Sequence, residues 1–225
     1  RLPVSGWPLA GLFALWCTGR IALLASDVIG VATAAALDAL FLPALLAICT
    51  REVVAGRKWK DLKVLGGLLA LSLANALYHV AAIDGEHSYM AIRLAVSAYV
   101  VLVMIVGGRI LPSFTRNWLN KVGRTDFPVP YNRFDMTAIL VGTAALGVWA
   151  VRPDHPATAF VGLAAAALHC IRLHRWRGWT TAREPILVIL HIAYLFVPLG
   201  LFSIALSALG YLEERSVLHL LSVGA

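Results

Sequence analysis

Four of the chain's seven histidines, His79, His169, His191 and His219, lie inside long apolar runs, away from loops where an imidazole is solvated at no cost. An imidazole carries two distinct ring nitrogens, and one can ligate a metal while the other is fixed by a hydrogen bond. Four such residues on separate segments support two readings: ligands for haem iron or another metal that accepts nitrogen donors, or interhelical hydrogen-bonding groups. Arg172 follows His169 by three residues, which on a helix puts both on one face. Its guanidinium suits an anionic carboxylate such as a haem propionate. His87, His155 and His174 stand outside the apolar runs and read as solvated.

Charges inside the runs are the second group with chemical potential. Arg20, Asp38 and Arg93 each interrupt an otherwise apolar stretch, at a cost of about 2.5–3.5 kcal/mol apiece at a bilayer centre unless paired or hydrated. The spans holding Arg20 and Asp38 are joined by a tight turn, so these two can form an ion pair. Alternatively, the three line a polar path of the kind a transporter needs. Cys17, Cys49 and Cys170 are isolated, with no CxxC pair and no CxxCH. The sequence holds no nucleophile with a partnered base, no phosphate-binding glycine loop and no carboxylate pair at catalytic spacing, so hydrolase and kinase classes are unsupported.

These residues must be positioned by the runs themselves. The chain is 60% hydrophobic with a mean hydropathy of +0.80. Crossing a hydrocarbon core of about 30 Å takes roughly 17–25 mainly apolar residues. Seven runs qualify, at 8–26, 28–50, 63–83, 88–112, 135–151, 156–173 and 185–208, and an eighth begins near Ser216. Continuous apolar runs in lipid are helical, because each backbone amide must be satisfied within its own segment. The expected fold is therefore an all-α transmembrane bundle, read as one domain over 1–225. A start at Arg1 without methionine and an eighth span cut at Ala225 read as the interior of a longer polypeptide.

Orientation follows from the basic residues, which cluster at 51–63, 109–133 and 172–183, in every second loop. Such loops face the cytoplasm. The net charge of +7 is thus a topology signal. Nucleic acid is not an expected partner, since no basic stretch carries interleaved aromatics. This topology brings His79 and His219 near the outer surface and His169 and His191 near the inner one, giving two tiers of imidazoles on different helices. Thr181 with Glu184, and Asn132 with Asp135, have capping-box spacing. Tryptophans 7, 59, 118, 149, 176 and 179 fall at span ends, as expected of interfacial rings, whereas Trp16 reads as packing. Pro112 is expected to end or kink the fourth span. The following segment, to Phe134, then reads as a loop presenting Thr115, Arg116 and Asn117, with Arg109 and Arg116 as anion-binding candidates and Gly107 and Gly108 permitting close helix approach.

The run GGRILPSFTRN (107–117), with LWCTGRIALL (15–24), RKWKDL (57–62), NALYH (75–79), the segment LHRWRGWTTAREPILVILHIAY (173–194) and LHLLSVGA (218–225), resembles the NnrS-type bacterial membrane proteins. The match runs through nearly the whole chain in order. What the resemblance implies is a multi-pass bacterial inner-membrane protein of about twelve spans that contains haem, of b type, and copper, and is linked to nitric oxide stress and denitrification. Nitric oxide and an electron donor are then the implied partners, and the oligomeric state is open. His79, His191 and His219 fall at recurring family positions and His169 at a looser one. An amino-terminal WHxHE-like segment that family members carry has no counterpart in this sequence.

Overall fold

The computed structural model describes residues 4–85 and 88–224. Glu86 and His87, read above as outer-loop residues, lie outside the described residues, as do Arg1 and Ala225. The described chain is helical, with no strand. Among the described residues, seven helical spans, Val31–Ala55 counted as one, are long and apolar enough to cross a membrane. The molecule is thus an all-α, polytopic membrane protein, and its residues group into two compact units, Arg1–Ala98 and Tyr99–Ala225.

The first unit contains α1 (Trp7–Leu24), α2 (Ser26–Ile29), α3 (Val31–Ala39), α4 (Phe41–Ala55), α5 (Leu62–Ile83) and the start of α6 (Tyr89–Lys121). The second span, read as 28–50, is a single helical span from Val31 to Ala55, set off at its start by a break. Gly30 adopts φ 85 and ψ 144, a conformation essentially closed to residues with a Cβ, and separates α2 from α3. Between α3 and α4 the backbone stays right-handed helical at Leu40, φ −71 and ψ −27, and what is lost is a hydrogen bond, because Pro43 offers no N–H to the Ala39 carbonyl. Trp16, expected to pack inside, is exposed on this unit and stacks on Phe13, ring centroids 6.1 Å apart.

The second unit contains the rest of α6, α7 (Arg133–Val151), α8 (Pro156–Arg175), α9 (Pro185–Ala208) and α10 (Glu214–His219), followed by one π-helical turn, Leu220–Gly224. Pro112 does not end the fourth span. The helix runs through it to Lys121, so GGRILPSFTRN is helical rather than a loop. A proline is tolerated in a spanning helix where neighbours satisfy the freed backbone groups. Asn132 and Asp135 form the expected capping box on α7. The Thr181–Glu184 box does not form: the Thr181 hydroxyl donates to the Gly178 carbonyl, and Glu184 makes no side-chain cap. His155, read as solvated, caps α8 by accepting from the Ala157 N–H through Nδ1 at 3.1 Å. Trp149 and Trp176, read as interfacial, are fully buried in the unit's core.

Candidate functional site

Each unit has its own buried polar cluster. In the first, α1 and α3 approach closely at Gly19 and Asp38, which brings the Arg20 guanidinium onto the Asp38 carboxylate as an ion pair. The pair expected from the sequence is therefore present. A third member was not anticipated: His79, on α5, places Nε2 at 2.9 Å from the other carboxylate oxygen of Asp38. An ionised carboxylate only accepts, so Nε2 carries the proton and Nδ1 keeps its lone pair. Asp38 and His79 are both buried, whereas the Arg20 side chain is half exposed. This arrangement resembles the carboxylate-oriented histidines of metal sites. Arg93 is buried on the α6 segment of the same unit.

The second unit holds a more extensive network, centred on Arg172. This side chain is wholly buried in the interior and not at a rim. Its Nε donates to Asp135 Oδ1 at 3.1 Å, and Nη1 donates both to the Met104 carbonyl at 2.9 Å and to the Tyr194 hydroxyl at 2.7 Å. The guanidinium also lies 5.1 Å from the Trp176 ring centre. Space for it exists because residue 108 is glycine: a Cβ there would overlap the guanidinium. Asp135 thus has two tasks, since its second oxygen accepts from the Asn132 N–H at 3.1 Å and has Arg175 at 3.6 Å.

The two buried histidines of this unit differ in what their nitrogens do. His169, fully buried, has Nε2 at 3.0 Å from the Ala138 carbonyl and Nδ1 at 2.9 Å from the Tyr194 hydroxyl. A carbonyl only accepts, so Nε2 is the protonated nitrogen and Nδ1 receives the Tyr194 proton. His169 has no uncommitted lone pair. For His191, Nδ1 donates to the Leu187 carbonyl at 2.8 Å, while Nε2 faces the Thr115 hydroxyl at the long distance of 3.4 Å. Gly178 approaches this ring so closely that a Cβ would come within 2.5 Å of it. His191 is therefore held by one nitrogen and presents the other.

The remaining expected site residues are at the surface. His219 is exposed on α10, and Arg109 and Arg116 are exposed on α6, with Arg116 over the Phe127 ring at 4.9 Å. The turn after α6 is tied down by Asp126, which accepts from Arg124 at 2.6 Å and lies 3.3 Å from Arg177. The hydrogen bond from Arg124 holds the Asp126 carboxyl below its ordinary range. Among the described residues, no group of three or more His, Cys, Asp or Glu side chains converges as a metal site. Tyr194 and Met104 were missed in the sequence. Tyr194 follows His191 by three residues on an apolar helix, and that spacing was the available signal.

Long apolar helices with histidine, arginine and carboxylate clusters in their interiors define a polytopic helical membrane protein with buried polar sites. Within that class, the family model described as NnrS protein matches residues 1–225, and the chain belongs to the NnrS family. No curated protein and no solved structure matches it.

Proposed function

We propose that this chain is part of a haem- and metal-binding protein of the bacterial inner membrane that serves the response to nitric oxide, with its basic loops in the cytoplasm. The observation that carries the reading is the state of His191. An imidazole whose Nδ1–H is fixed on a backbone carbonyl and whose Nε2 lone pair meets only a distant hydroxyl has the preparation found in histidine ligands. His79 is prepared from the opposite nitrogen, with Asp38 as its orienting carboxylate. His219, exposed, completes the candidate set. His169 is left out because both its nitrogens are committed.

Family membership is compatible with haem as the group, which, held by these imidazoles, would supply a site for a diatomic ligand or a one-electron carrier. The chain's own part is to fix imidazole orientation through Leu187 and Asp38 and to offer exposed cations, Arg109 and Arg116, to propionates. Copper has no identified ligand set among the described residues. The test is haem content per chain, by pyridine haemochrome assay on the purified protein. His191→Ala is expected to lose haem. Full haem content in both His191→Ala and His79→Ala would end the proposal.

A second reading, transport, is favoured by one feature. The helix carrying Asp38 is set off from α2 by the non-helical Gly30 and lacks the backbone hydrogen bond that Pro43 cannot make, and discontinuities in spans commonly line substrate paths in transporters. Asp38-dependent flux in proteoliposomes would establish it.

A further inference from the structure

The hydrogen bonds around Tyr194 have only one consistent direction. Nη1 of Arg172 can only donate, so the phenolic oxygen accepts from it and must send its own proton elsewhere. The available acceptor is Nδ1 of His169 at 2.9 Å, whose lone pair is guaranteed because Nε2–H is committed to the Ala138 carbonyl. The result is a chain running from guanidinium to phenol to imidazole to carbonyl. Tyr194 is 2% exposed, whereas Tyr78, Tyr89, Tyr99, Tyr131 and Tyr211 are 42–79% exposed. Its ring also lies against a second oxidisable ring, Trp176, with centroids 4.5 Å apart.

A phenol that loses an electron becomes a strong acid, and in an apolar interior the charge so created has nowhere to go unless a base already holds the proton. We propose that Tyr194 is a redox-active tyrosine, with His169 as its built-in proton acceptor. One electron leaves the phenol for a one-electron oxidant, an inorganic radical or an oxidised metal complex. The O–H bond breaks, and the proton forms a bond to Nδ1 of His169. The products are a neutral tyrosyl radical, an imidazolium and the oxidant reduced by one electron. Return of the electron and proton restores the starting state.

Several features fit this use. The new imidazolium still donates Nε2–H to Ala138 and now donates Nδ1–H to the radical oxygen, which keeps its hydrogen bond from Arg172. Asp135 pairs with Arg172, the cation beside the new imidazolium. Burial behind α8 and α9 keeps the radical from coupling with another phenol. The assignment needs no bound haem and gives His169 a role other than ligation.

The test is laser flash oxidation of the purified full chain with a photogenerated ruthenium(III) polypyridyl complex, followed by transient absorption and electron paramagnetic resonance. Wild type is expected to give a long-lived tyrosyl signal that Tyr194→Phe removes, the exposed tyrosines leaving only short-lived species. His169→Gln should slow formation of the radical by about 100-fold or more, the minimum typical of a positioned base. Equal yield and lifetime in Tyr194→Phe and wild type would overturn the proposal, as would an unchanged rate in His169→Gln. Should either variant fail to fold, the wild-type resonance decides alone. A splitting from the His169 proton that disappears in deuterated solvent is required, and a spectrum without it refutes the assignment.

Discussion

Replacing Asp135 by asparagine offers the sharpest test of the second unit's architecture, because the change is nearly isosteric and removes one charge. Arg172 has no solvent exposure and the Asp135 side chain only 3%, so bulk water does not screen the pair. Removing one member of such a pair leaves an uncompensated buried charge, at a cost of about 3–5 kcal/mol. Arg172→Met instead removes the cation and leaves Asp135 with Arg175 at 3.6 Å and the Asn132 amide. It also removes the hydrogen bonds to the Met104 carbonyl and the Tyr194 hydroxyl, at about 1.5–3 kcal/mol for bonds to a charged group. Asp135→Asn with Arg172→Met removes both members of the wholly buried pair and leaves only the partly exposed Arg175, so the double variant should be more stable than Asp135→Asn alone. The coupling should reach about 2 kcal/mol or more, within the range of directly interacting residues. Equilibrium unfolding in detergent of the four proteins completes the cycle. Additive losses, or a loss below about 1 kcal/mol for Asp135→Asn, would refute the claim that Arg172 depends on this carboxylate.

Two further outcomes follow from the same geometry. Gly108→Ala should destabilise by about 1–3 kcal/mol, the usual range for overpacking, because its methyl occupies the space of the guanidinium. Gly147→Ala, with open space around its Cβ, should be close to neutral in the same unfolding assay. Asp126 has a depressed carboxyl, so its links to Arg124 and Arg177 should be intact at neutral pH and persist through the ordinary carboxylate range. They should fail only as pH falls through the lowered value. Amide hydrogen exchange of residues 122–131, followed as a function of pH, should show protection lost on acidification in wild type and already reduced at neutral pH in Asp126→Asn.

How far the fold could be read depended on the scale of the signal. Span lengths were legible because apolar runs of this length have one structural answer in lipid, and α9 begins and ends where the hydropathy does. Pro43 and Pro112 show where that reading stops. Pro112 was expected to end or kink its span, yet the helix runs through it, as α9 runs through Pro198 and the second span past Pro43, because neighbours and not propensity decide. Buried tryptophans failed for a similar reason: Trp176 sits at a span end in sequence, but Arg172 and Tyr194 give it a partner inside. In the site, Arg20 with Asp38 was visible because a tight turn limits what two adjacent spans can do. The division of labour between His169 and His191 was not, because it rests on two backbone carbonyls, Ala138 and Leu187, which carry no side-chain signature.

The Arg172 network also bears on how the chain is made. From α8 the guanidinium reaches Met104 on α6, Asp135 on α7 and Tyr194 on α9. Synthesis runs from the amino terminus, so α6 and α7 enter the bilayer before α8 does. An arginine inserted alone is costly to bury, though less so near a span end than at the helix centre. Here it arrives in a membrane that already holds its carboxylate and one of its carbonyls, and the later helix closes over it with the phenol. The order of helices along the gene thus sets an order of insertion in which this cation is never without a partner, and a permuted chain presenting α8 first would lose that protection while keeping every native contact.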